Sequence, residues 1–187
     1  MGAYLPWFGA LACLGYAGHA VHYLRAGDLA QMLWICHVSA LVSGIGLIAR
    51  SPLVNATGLM GLAIGFPSWL LYLYGGGEFI PTSLLTHVLG FAVGVAGASA
   101  LGLPRRTWLA ALTYVAVLML VSRLLTEPES NINLAFGPDP DLGLWEVGGA
   151  AHWALQLGQW GLGFGALQLV LTRVFGPPRQ ADSVRSE

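Results

Sequence analysis

The sequence predicts an all-α integral membrane protein, a bundle of six transmembrane helices with both termini in the cytoplasm. Three observations predict it. The 187 residues are 56% hydrophobic and 9% charged, with a mean hydropathy of +0.67, whereas an average soluble domain carries about 25% charged residues. Six apolar runs are long enough to cross a hydrocarbon core about 30 Å thick as helix. The arginines divide unevenly between alternate turns. Helix is the expected element, because lipid gives backbone N–H and C=O groups no partner outside a closed barrel.

The first run, 4–24, has no basic segment before it of the kind a signal peptide carries, so it is expected to stay as a span. The turn Arg25-Ala-Gly-Asp28 ends it. The second run, 30–48, ends at Arg50-Ser-Pro52. It presents a small, mildly polar face of Cys36, Ser39, Ala40, Ser43 and Gly44. The third, 53–74, carries Pro67, which predicts a kink, and ends at Gly75-Gly-Gly77. The fourth, 82–103, spaces Gly90, Gly94, Ala98 and Gly102 four apart, the pattern that lets membrane helices approach closely. That face serves packing within the bundle or a homodimer. The fifth, 107–125, follows Pro104-Arg-Arg106 and leads into the one long connection, 126–149, rich in Pro, Asn, Asp and Glu. The sixth, 150–175, carries His152, Gln156 and Gln159, a stripe expected to face the bundle interior because glutamine facing lipid is costly. Residues 1–175 thus form one transmembrane domain, and 176–187 a polar, mobile tail.

With six spans, one side holds Arg50, Arg105, Arg106, Arg173, Arg179 and Arg185. The other holds Arg25 and Arg123 among Asp28, Glu78, Glu127, Glu129, Asp139, Asp141 and Glu146. Positive charge marks the cytoplasm, so the long acidic loop is expected outside, in a cytoplasmic membrane of bacterial type. A net charge of −1 excludes a basic nucleic-acid surface. Both cysteines, Cys13 and Cys36, lie in apolar runs, which argues against a secreted disulfide scaffold. Trp34, Tyr72, Tyr74, Trp145 and Trp153 read as an interfacial aromatic belt on the outer side.

The reactive side chains are not spread over both halves of this bundle. His19 and His22 end the first span, Cys36 and His37 lie in the outer half of the second, His87 is one turn into the fourth, and His152 opens the sixth. At about 1.5 Å per residue, all fall within roughly 10 Å of the outer boundary. A shared depth predicts one polar chamber, and ionisable groups inside a membrane mark function by default. Cys13 has no polar companion and reads as a small hydrophobe. Cys36 has histidines at its depth, and a thiol becomes a nucleophile where a base or cation favours thiolate. His37 follows it directly and points about 100° away on a helix, which suits an orienting neighbour. His87, from another helix, is better placed as a base. His19 and His22, at i and i+3, share a face that suits a metal or a hydrated interfacial pair. His152 reads as a boundary residue or a further ligand. Arg25 and Arg123 at the outer edge either snorkel or hold a lipid phosphate.

The stretch Ile35-Cys-His-Val-Ser-Ala-Leu41, with Thr86-His87-Val88 two spans later, resembles the YwaF-like family of integral membrane proteins. That family is related to a eukaryotic cysteine-dependent transmembrane phospholipid acyltransferase. Arg105-Arg-Thr-Trp108 and Asn131-Ile-Asn133 look similar as well, so the resemblance covers 34–136. His19, His22 and His152 have no counterpart in it. The resemblance implies a lipid acyltransferase, or an acyl hydrolase, with Cys36 as nucleophile, His87 as general base, His37 shaping the pocket and Asn133 helping an oxyanion. It implies a phospholipid or other acyl lipid as partner and no cofactor. Two other classes stand beside it. Histidines from several helices around one cavity are a usual way for bundles to hold metals, so His19, His22, His87 and His152, with Cys36, predict a metal ion or haem under that alternative. A non-enzymatic carrier is the third class, although no internal repeat is visible.

Overall fold

The computed structural model describes residues 4–138 and 148–178. Among the described residues the chain is all-helical and contains six α-helices: α1 Leu5–Ala26, α2 Ile35–Ile48, α3 Pro52–Tyr74, α4 Gly90–Leu101, α5 Thr107–Leu125 and α6 Gly149–Phe175. Of these, α3 and α5 are long and apolar enough to cross a membrane. The helix ends follow local chemistry. Gly27, at φ 76°, closes α1 in the left-handed conformation that glycine adopts without a steric cost, and its N–H reaches the Leu24 carbonyl. Ser51 caps α3 by accepting from the Val54 N–H, with Pro52 as the first helical residue.

The centre of the molecule is an antiparallel seam between α2 and α3, built from small residues in register. A Cβ at Gly58 would strike Ser43, one at Gly61 would strike Ser39, and one at Gly65 would lie 2.6 Å from the Cys36 Cβ. α4 closes on the same seam, with Gly90 against Ala40 and Gly94 against Leu59 and Ser43. The four-residue glycine spacing of α4 is therefore used for packing within the chain. On the far side of α3, Met60, Ala111, Val115, Met119 and Phe164 form an apolar core that joins α3, α5 and α6.

Two of the six expected runs are interrupted. The run 30–48 is not one helix: Leu29–Leu33 is a 3₁₀ turn, Trp34 is extended (φ −54°, ψ 138°), and α2 begins at Ile35 with 14 residues. The break has a cause far away in sequence. The Asn133 side chain accepts from the Ile35 N–H at 2.8 Å and donates to the Leu33 carbonyl at 2.7 Å. It supplies from another segment what a continuous helix would have supplied itself. In the run 82–103, Leu85–Leu89 is a π-helical turn leading into α4. There the Ser83 carbonyl is taken by the side chains of Thr86 and His87. π turns are rare and often accompany functional sites.

Other expectations are met differently. α3 stays continuous through Pro67. Of the expected α6 stripe, His152 is buried, Gln156 is half-buried and Gln159 is exposed, and the inward face continues through Phe164 and Gln168. Gln168 accepts from the Trp108 N–H and donates to the Pro104 carbonyl, tying α6 to the start of α5. The start of the tail is folded back, with the Gly176 carbonyl accepting from the Leu103 N–H at 2.9 Å. Trp145, Asp139, Asp141 and Glu146, and the tail from 179 including Arg179 and Arg185, lie outside the described residues.

Candidate functional site

The site is assembled at the end of the bundle where α1 finishes, α2 begins and the π turn precedes α4. α1 contributes His19 and His22, with Tyr23 in ring contact with both and with His37. The first turn of α2 contributes Cys36 and His37, and the π turn contributes His87. The Cys36 sulfur and a ring nitrogen each from His37 and His87 all lie within 4.8 Å of one another. The imidazoles continue outward as a contiguous set. His37 meets His87 edge-on at 5.2 Å and His19 at 4.6 Å, and His22 stacks on His19 at 6.2 Å. His19, His37 and His87 are buried, Cys36 is half-buried, and His22 is exposed.

Hydrogen bonds decide which nitrogen of each buried ring is available. A carbonyl only accepts, so a ring nitrogen bonded to one must carry the hydrogen. His37 Nδ1–H donates to the Gln31 carbonyl at 2.9 Å, and His87 Nδ1–H donates to the Ser83 carbonyl at 2.9 Å. Both neutral rings therefore present Nε2 as the lone-pair nitrogen. His19 shares Nδ1 with the Thr82 hydroxyl at 2.9 Å, and its buried Nε2 has no hydrogen-bond partner. Trp69 of α3 stacks on the His87 ring at 4.6 Å with 13° between planes, fixing the orientation that the Ser83 bond begins.

Cys36 is held from two sides. Gly65 leaves its Cβ room against α3. Asn133, buried and at φ 57°, anchors the backbone on either side of Trp34, and its amide also donates to the Ser122 hydroxyl at 3.0 Å. Both Asn133 amide hydrogens are thus committed and none is left for an oxyanion. The family resemblance implies a part for Asn133 in the chemistry; in the structure its side chain supports the turn that carries the thiol.

Five of the six expected groups are brought together, and His152 is not. His152 Nε2–H donates to the Leu134 carbonyl at 2.8 Å, and its neighbour Trp153 donates to the Ala135 carbonyl at 3.1 Å. It makes no ring contact with the other four histidines among the described residues. The reason is its helix: α6 packs on α5 and the 131–136 segment, on the other flank of the bundle. Arg123 belongs to the same flank, donating to the Ala135 carbonyl at 3.2 Å with its guanidinium over Phe136. His152, Trp153 and Arg123 together hold the segment that carries Asn133. Sequence reasoning missed Trp69, Gly65 and Ser83. For Gly65 the signal was present, since Gly58, Gly61 and Gly65 space one face of α3 by three and four. A cavity of about 340 Å³ lined by Arg105, Gln168, Leu169, Thr172 and Arg173 lies at the opposite end of α5 from this group.

Comparison with family models, curated proteins and solved structures finds no match to this chain.

Proposed function

We propose that this chain is a six-span protein of a bacterial-type cytoplasmic membrane, with both termini inside, that transfers acyl groups from lipid esters through Cys36 at the level of the outer leaflet. The membrane reading is supported by the outward faces of the long helices. Trp7, Leu14 and Leu24 on α1, Val117, Leu124 and Leu125 on α5, and Leu162, Leu169 and Val174 on α6 are all more than half exposed. Apolar exposure on that scale is foreign to a soluble monomer and ordinary against lipid. The orientation rests on the arginines of the sequence.

The observation that carries the chemistry is the approach of the Cys36 sulfur and one ring nitrogen each of His37 and His87 to within 4.8 Å; since His87 Nδ1–H is given to Ser83, Nε2 is the nitrogen of that ring able to accept a proton. This is a nucleophile, a base from another helix, and a third group that orients the base. His87 Nε2 takes the thiol proton and the sulfur attacks the ester carbonyl. The C–S bond forms, the ester C–O bond breaks, and the departing alkoxide takes the proton from His87. In the second half, an acceptor hydroxyl gives its proton to His87 and attacks the thioester. The C–S bond breaks and the thiolate recovers a proton from His87. A lysolipid hydroxyl as acceptor makes a transferase, and water makes a hydrolase. Cys36 sits in the first turn of α2, so negative charge developing there lies in the favourable field of the helix N-terminus. His37 packs edge-on against His87 and His19 and shapes the chamber. The resemblance of 35–41 and 86–88 to the YwaF-like family agrees with this reading.

The test is acyl exchange between labelled phospholipids by the purified chain in lipid nanodiscs. Exchange is expected in the wild type and is expected to vanish in Cys36→Ala and in His87→Ala. Full activity in Cys36→Ala would end the proposal.

A further inference from the structure

We infer that the same cluster is a site for a zinc-class cation, held by Cys36, His37 and His87, with His19, which lies outside that close group but in ring contact with His37, turning in as the fourth ligand, and that the bound ion silences the thiol. The occupancy stands on geometry alone; only the silencing rests on the acyl-transfer reading.

Four features carry it. The sulfur and two imidazole nitrogens from two helices already lie within 4.8 Å of one another. A tetrahedral zinc ion with bonds of about 2.0–2.3 Å needs its ligand atoms roughly 3.3–3.6 Å apart, so the group has at most about 1.5 Å to close on binding. Both rings are fixed in the tautomer that a ligand needs. Nδ1–H is given to a carbonyl, Gln31 for one and Ser83 for the other, which leaves Nε2 free and is the usual outer support of a metal-bound histidine. His19 supplies an independent sign: its Nε2 is fully buried without a hydrogen-bond partner, beside His37. An unpartnered buried polar atom is costly, and a cation among these rings would remove that cost. Finally, the donor set is one sulfur and three nitrogens. That chemistry selects a borderline or soft ion and rejects magnesium and calcium, which take oxygen ligands. The exposed His22, stacked on His19, offers an incoming ion its first ligand at the surface.

Binding forms a metal–sulfur bond and breaks the Cys36 S–H bond, the proton leaving to buffer. No oxidant or reductant is involved. A sulfur bound to zinc has its lone pair shared with the ion, and His87 bound to zinc has no lone pair for a proton, so both halves of the proposed dyad are blocked together.

The experiment uses the full chain, without a histidine tag, in nanodiscs freed of metal by chelation. Zn²⁺ is titrated against a chelating indicator, and Co²⁺ is added separately as a spectroscopic probe. The expected result is one ion per chain, a thiolate-to-cobalt charge-transfer band, and tetrahedral cobalt absorption. Cys36→Ser, which preserves size, is expected to lose the charge-transfer band and to weaken zinc binding by at least about tenfold. His19→Asn is expected to weaken it as well, and Cys13→Ala to leave it unchanged. The absence of saturable binding in the wild type, or equal binding in wild type and Cys36→Ser, would overturn the inference. The activity arm keeps the two readings apart. Exchange that falls with zinc occupancy and returns on chelation supports both. Zinc binding without exchange in the chelated protein leaves the metal site standing and sinks the acyl-transfer reading. Exchange unaffected at full occupancy overturns the silencing.

Discussion

Asn133 caps α2 from 98 residues away: its Oδ1 accepts the Ile35 N–H at 2.8 Å, one residue before the candidate nucleophile. No side chain of the local sequence caps that helix, since Trp34 makes no capping bond. The first turn of α2 therefore keeps its cap only while the 131–136 segment is docked. Docking in turn depends on His152, Trp153 and Arg123 gripping the carbonyls of Leu134 and Ala135.

Removing that cap is expected to act on both stability and rate. Asn133→Ala leaves the Ile35 N–H and Leu33 carbonyl without their partner and is expected to cost about 1–3 kcal/mol, read as a lower unfolding midpoint in detergent. Asn133→Asp keeps the acceptor and loses both donors, and is expected to fall between the two. A falling kcat at unchanged KM would mark displacement of Cys36.

Gly65 is the tightest constraint on the thiol from the other side. A Cβ there would sit 2.6 Å from the Cys36 Cβ and 3.0 Å from its Cα. Gly65→Ala is expected to force the first turn of α2 outward. A displacement near 1 Å costs about 10²-fold in rate, so acyl exchange is the measurement. Unchanged exchange in Gly65→Ala would mean that Cys36 is not the reacting group or that the seam yields freely.

Trp69 orients His87 by stacking at 4.6 Å. Trp69→Phe is expected to keep most of the function because a flat ring remains. Trp69→Ala removes an interaction of about 0.5–1.5 kcal/mol beyond area burial and is expected to lower exchange by releasing the His87 ring. The pair of variants measured side by side separates ring orientation from bulk.

The orientation of the bundle is open to labelling. In a Cys13→Ala/Cys36→Ala background, Glu78→Cys in the α3–α4 connection is expected to react with a membrane-impermeant maleimide on intact cells. Arg105→Cys, before α5, is expected to react only after lysis. The reverse pattern would place the histidine cluster at the cytoplasmic face.

Gln168 supplies a contrast far from the thiol. Its bonds to the Trp108 N–H and Pro104 carbonyl fasten α6 to α5 at the opposite end. Gln168→Leu is expected to cost about 1–3 kcal/mol of stability with exchange per folded molecule unchanged.

Hydropathy was enough to find the helices because it is a local property. All six were legible as apolar runs, and their turns lay where Gly, Pro and Arg interrupt the pattern. The gathering of His19, His22, Cys36, His37 and His87 was legible too, because helices that alternate in direction carry each residue to one end of the bundle whatever the packing. Span continuity was not. The run 30–48 gives no local warning of the break at Trp34, whose cause is an amide 98 residues downstream of Ile35. Nor does 82–103 announce a π turn, which depends on how Thr86 and His87 share the Ser83 carbonyl.

The amino-acid sequence alone thus determined the helical class, the positions of the turns and the end of the bundle to which the reactive side chains are carried, since each follows from hydrophobicity and spacing along the chain. Tertiary structure decided which of those side chains meet. His152 lies on another flank, because α6 docks on α5. Asn133 shares no helix with Cys36 and yet holds its turn. Helix neighbours are set by close packing of small residues and by hydrogen bonds between distant segments; the glycine spacing shows which face of a helix packs closely but not against which partner, and the hydrogen bonds leave no periodic trace.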